Sequence, residues 1–212
     1  MKVQKFPSKT LVILDAGHGI DTPGKRSPVW SNGTQLFEWK FNRNIVDYII
    51  KYLEVANISY CKLVEEDKDI SLQERVNRAN SVYYKTKDAY AVYLVSIHGN
   101  AAENSNANGV EVWTSKGQTK SDRIAVHFYN QLKNLGWKMR PTNQLKLDRE
   151  EDFYILKNTI CPAVLTENGF YTNEVECAKM NDYYWQKQIA LFHFNAIKDI
   201  EFGKNKSSIF VV

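Results

Sequence analysis

Several features that announce specialised architectures are scarce in this chain of 212 residues. It has only three cysteines, Cys61, Cys161 and Cys177. They are odd in number and far apart, so neither a closed disulfide framework nor a zinc knot can be built from them. They read as reduced, buried small hydrophobes. No apolar run approaches the ~18 residues of a membrane span. The opening, MKVQKFPSKTLVIL, lacks the apolar region and small-residue cleavage site of a signal peptide, which predicts synthesis in the cytoplasm with no visible leader. Charge of one sign is also scarce. Lys and Arg exceed Asp and Glu by four. With no dense basic block, the balance argues against a dedicated nucleic-acid surface, while permitting attraction to anionic polymers. Internal repeats, low-complexity tracts and interdomain linkers are absent. The expected organisation is one domain over residues 1–203 with a short tail at 204–212.

What is present is an alternation of strand and helix signals. KTLVILDAG is a buried strand ending at a glycine turn, and residues 21–35 are a long Gly/Pro/Ser/Asn loop. Helical spacing of Phe37, Phe41, Ile45, Tyr48, Ile49 and Tyr52 predicts a helix over about 36–56, followed by a strand at 58–64. Ser71-Leu72-Gln73-Glu74 reads as a capping box opening a helix with Leu72, Val76, Ala79 and Tyr83 on one face. AYAVYLVSIHGN and GVEVWTS are strands. Ile124, Phe128, Leu132 and Leu135 mark a helix near 119–135. Residues 136–152 look mostly irregular and FYILKN a short helix. CPAVLTENGF is a strand with Pro162 at its entry. Asn173–Glu176 is an N-cap signal, and the last helix covers about 182–201. This pattern predicts a single α/β domain with a largely parallel sheet.

Four histidines are available. His127 and His193 fall inside predicted helices and read as structural or surface residues. His18 and His98 differ. Each follows an apolar strand and is flanked by glycine. A third strand, PAVLT, ends in Glu167-Asn168-Gly169. If the three strands lie parallel and side by side, all three polar side chains emerge at one sheet edge, where α/β proteins place ligands. Imidazoles suit zinc, which in catalytic sites also takes carboxylate oxygens. Glu38, in the first turn of the next helix and about twenty residues from His18, is the candidate third ligand. Asn42, one helical turn on, is placed to hydrogen-bond the Glu38 carboxylate.

DAGHG, FEWKFN, SIHGNA followed by GVEVW, and PAVLTENGF occur here in the order and approximate spacing of zinc-dependent N-acetylmuramoyl-L-alanine amidases of the Amidase_3 type. LQERVNRAN, with Leu72, Arg75, Ala79 and Asn80, resembles a further helix of that family. The resemblance covers roughly residues 10–200. It implies a twisted, mostly parallel sheet of about six strands flanked by helices. It also implies zinc ligands at His18, Glu38 and His98 and a catalytic glutamate at Glu167. The implied reaction is hydrolysis of the amide between N-acetylmuramic acid and L-alanine in peptidoglycan, as in endolysins and wall-remodelling enzymes. Arg149 and Asn100 become candidates for substrate contact. For Arg149 a solvated surface arginine is the alternative. A separate permeabilising or activating protein would then bring the enzyme to the wall. Two rival readings remain: a zinc peptidase cutting within the stem peptide, and a non-catalytic wall-binding module. A serine or cysteine hydrolase is a poor competitor, because no Gly-x-Ser-x-Gly elbow appears and no cysteine lies beside an obvious base.

Overall fold

A computed structural model describes residues 2–134, 136–140 and 147–203. Among them the chain forms β1 (Val3–Gln4), β2 (Thr10–Ala16), α1 (Glu38–Ala56), β3 (Ser59–Lys62), α2 (Leu72–Thr86), β4 (Ala91–Asn100) and β5 (Val110–Thr114). It continues through α3 (Lys120–Lys133), β6 (Arg149–Glu150), α4 (Tyr154–Asn158), β7 (Ala163–Phe170), α5 (Glu174–Asn181) and α6 (Tyr183–Phe202). The strands make one sheet in the order β1-β3-β2-β4-β7-β5-β6. Its centre, β3-β2-β4-β7, is parallel, whereas β1 pairs antiparallel with β3 and β5 antiparallel with β7.

A sheet covered on both faces calls for strands that are apolar on both faces. β2 is buried at all seven positions. Val12 and Leu14 join a core with α1, α3, α5 and α6. Leu11 and Ile13 join a second core with α2 and α4. The C-terminal end of α6 is tied to the start of β2, where Glu201 accepts hydrogen bonds from the Thr10 N–H (2.8 Å) and from the Lys9 N–H (2.7 Å). The cysteines are free thiols and all are buried. No described helix is long and apolar enough to cross a membrane.

The expected elements are present, with differences at the margins. The two-residue strands β1 and β6 bring the sheet to seven strands, and β6 lies inside the stretch expected to be irregular. At the start of α2 the box is half formed. Ser71 Oγ accepts from the Glu74 N–H, while the Glu74 carboxylate turns to Arg78 Nε (2.8 Å), one helical turn along. A reciprocal box forms instead at α3, between Thr119 and Asp122. Leu135 and the tail 204–212 lie outside the described residues.

Candidate active site

Parallel pairing brings the ends of β2, β4 and β7 to one edge. Ala16 is level with Ile97, and His98 is level with Glu167. His18 sits just beyond β2 with a left-handed backbone (φ 62°), a conformation that L-residues adopt at a cost. Gly17 is needed beside it, because a Cβ at that position would overlap the His98 ring. Glu38 arrives as the first residue of α1, and its N–H is anchored to Lys25 O (3.0 Å). The N-cap, Phe37, offers no side-chain cap, so the carboxylate on the first turn is the local anion that the helix dipole favours.

Glu38 Oε1 is the hub. It lies 3.1 Å from His98 Nδ1 and 3.3 Å from His18 Nε2. The Gly99 N–H (3.3 Å) and Asn42 Nδ2 (3.5 Å) also point at it. The imidazole rings stand edge to face, with centroids 5.0 Å apart. Glu38 Oε2 is buried and, among the described residues, makes no hydrogen bond of good geometry; Lys25 Nζ is 3.9 Å from it. Burial alone would raise the pKa of this carboxyl, but hydrogen bonds from His18 and His98 hold it far below the ordinary range. One ligand atom from each of His18, Glu38 and His98 falls within 4.8 Å of the other two, so the trio can hold a metal ion. Two imidazoles and a carboxylate, with a buried carboxylate oxygen left over, match the donor chemistry of catalytic zinc sites.

Glu167 stands next to this cluster on β7, and its Oε2 is buried without a hydrogen-bond partner among the described residues. Burial, with Glu38 and Glu111 adding to it and His98 opposing, pushes its carboxyl up to about 8. Glu111 is level with Glu167 on β5 and was not singled out from the sequence. It accepts hydrogen bonds from Asn100 Nδ2 (3.0 Å) and Trp113 Nε1 (3.0 Å), and it pairs with Arg140 (2.5 Å) and Arg149 (3.5 Å). Asn100 and Arg149 therefore lie on a charged wall beside Glu167, and Arg149 also stacks 4.8 Å from the Trp113 ring. An acidic residue within the otherwise apolar GVEVW strand was the available signal for Glu111. Nothing in the sequence pairs it with Arg140.

Asn42 Nδ2 donates to Gly17 O (3.1 Å) as well as facing Glu38. His127 lies on α3. His193 is fully buried on α6, held by Thr166 Oγ1 (2.9 Å) and Ile189 O (2.8 Å). A cavity of about 230 Å³ opens beside His18 and His98 and is lined further by Ile70, Leu72, Arg75 and Ile155.

The Amidase_3 family, described as N-acetylmuramoyl-L-alanine amidase, matches residues 12–199. The chain is 30% identical over 207 residues to an endolysin of Bacillus phage SPP1, covering 93% of this chain and 68% of that protein. It is 29% identical over 182 residues to the N-acetylmuramoyl-L-alanine amidase LytC of Bacillus subtilis (strain 168), covering 84% of this chain. It spans only 33% of the length of LytC. The crystal structure of an N-acetylmuramoyl-L-alanine amidase from Clostridium difficile 630 superimposes with a TM-score of 0.76 at 27% identity, covering 91% of this chain and 96% of that one. A match running from the first buried strand to the last helix makes this chain a member of the Amidase_3 family of N-acetylmuramoyl-L-alanine amidases.

Proposed function

We propose that residues 1–203 form a zinc-dependent amidase domain that hydrolyses the amide between N-acetylmuramic acid and L-alanine in peptidoglycan. The observation that carries this reading is the convergence of His18, Glu38 and His98 on one point beside Glu167. Zinc bound by these three residues supplies Lewis-acid polarisation of a carbonyl and acidification of water. Asn42 holds the Glu38 carboxylate toward the imidazoles. Glu167 moves the proton. Level with His98 and with a buried Oε2 that has no hydrogen-bond partner among the described residues, it is placed to take a proton from the attacking water and return it to the departing amine nitrogen. Arg149 and Asn100, gathered around Glu111, offer a cation and an amide to the carboxylates and peptide groups of the stem peptide. The enzyme acts at the cell wall, and a separate permeabilising or activating protein gives it access.

Digestion of purified walls, with mass spectrometry of the fragments, tests the reading. New free L-alanine amino termini that disappear on chelation are expected. Cuts within the stem peptide would establish a peptidase instead. Wall binding by the zinc-loaded protein without any cleavage would establish a non-catalytic module.

A further inference from the structure

β3 ends before β2 does. The last bond between them is from the Leu63 N–H to Leu14 O (2.9 Å). β2 continues, and on its other side the Gly17 N–H still donates to Ile97 O of β4 (3.0 Å). On the β3 side the next carbonyl in register, Ala16 O, has no strand to meet. A buried carbonyl without a partner costs free energy, so something else must satisfy it.

Two guanidiniums take the place of the missing strand. Arg43, from α1, donates through Nη1 to Ala16 O (2.8 Å) and through Nη2 to His18 O (2.8 Å). Arg75, from α2, donates to the same two oxygens at 2.7 and 3.2 Å. Arg75 is neutralised by Asp15 (2.6 Å) and Asp69 (2.8 Å). Arg43 is not. It is 7% exposed, and each of its hydrogen bonds among the described residues goes to a backbone carbonyl, including Glu66 O at 3.0 Å. Burying a cation with no carboxylate in contact is expensive. Its bonds secure the loop that carries His18 in a left-handed conformation.

We infer that Arg43 is a positioning residue for the His18 imidazole, pinning the carbonyls of residues 16 and 18 together with Arg75 so that the metal-binding trio is assembled in advance. This rests on the metal reading above, but one arm of the test needs no metal. In the metal-free protein, amide hydrogen exchange is followed at Gly17 and Gly19 and, as a reference, in the middle of α6, for wild type, Arg43→Met and Arg43→Lys. Zinc affinity is then measured by chelator competition. Arg43→Met should speed exchange at Gly17 and Gly19 at least several-fold more than in α6. It should also weaken zinc binding ~10–100-fold, the usual penalty for losing a group that orients a ligand. Arg43→Lys keeps the charge but not the two-pronged grip, so it should fall between wild type and Met. It decides the matter if the Met variant does not fold.

Exchange that rises equally in α6, or zinc affinity at the wild-type level in both variants, would overturn the inference and leave Arg43 a residue of general stability. A wild-type chain that binds no zinc would overturn the metal reading, and the exchange comparison alone would then decide whether Arg43 pins the loop.

Discussion

Gly17→Ala is the sharpest local perturbation that the geometry offers. An added Cβ would stand 2.5 Å from Nδ1 and 2.6 Å from Nε2 of His98. Ordinary carbon contacts need ~3.5 Å or more, so the ring or the backbone must retreat by ~1 Å. The backbone is held on both sides, by the Gly17 N–H bond to Ile97 O and by Asn42 on Gly17 O. The imidazole therefore moves, and its 3.1 Å approach to Glu38 is lost. Overpacking of this kind costs about 1–3 kcal/mol of stability. A displacement of ~1 Å at a reacting centre can cost ~10²-fold in rate. Urea unfolding of the metal-free protein, zinc affinity by chelator competition and wall-digestion rate together measure these effects. Gly24→Ala and Gly33→Ala are the controls, since an added Cβ at either would meet nothing within 4 Å among the described residues beyond its chain neighbours, and both have positive φ. They should show only backbone strain of about 1–2 kcal/mol, with zinc binding unchanged. A Gly17→Ala protein with wild-type zinc affinity would refute the placement of the His98 ring.

Three further outcomes are expected. Glu167→Gln should keep its zinc and its fold and lose ~10²–10⁴-fold in hydrolysis, read by assaying metal content and activity on one preparation. Arg149→Ala should raise KM for soluble wall fragments with kcat and zinc content little changed; an unaltered KM would make it a surface arginine. His193 should impose a pH dependence on stability. Burial pushes its pKa down to about 4, so the unfolded chain gains a proton near pH 6.5 that the folded chain refuses until about 4. Its neutral ring is therefore fully tolerated above pH 6.5, and ~3 kcal/mol of stability is lost as the pH falls through that window. Urea midpoints for wild type and His193→Gln should diverge over that range, and parallel curves would contradict the assignment.

The central strands were legible because burial on both faces leaves a continuous apolar run, and their polar ends, His18, His98 and Glu167, stand out against it. The start of α1 was legible to within two residues through the spacing of Phe41, Ile45 and Ile49. The edge strands β1 and β6 are two residues long, too short for any periodicity to register. Glu74 carries the spacing of a capping box, but whether its carboxylate reaches back to the cap or forward to Arg78 is decided by tertiary surroundings. The meeting of His18, Glu38 and His98 was legible because two of them follow apolar strand runs and the third begins a helix of clear periodicity. Arg43 was not, since its partners are carbonyls, which every residue carries and no residue type advertises. Glu111 and Arg140 meet only because β5 lies against β7 and the segment after α3 returns beside Val110.

The most direct test of the account is the zinc content of four proteins, wild type, His18→Ala, His98→Ala and Glu167→Gln, after dialysis against a weak chelator, with circular dichroism to verify folding. One zinc per chain is predicted for wild type and Glu167→Gln, and none for either histidine variant. A folded His18→Ala or His98→Ala protein that keeps a full equivalent of zinc would contradict it.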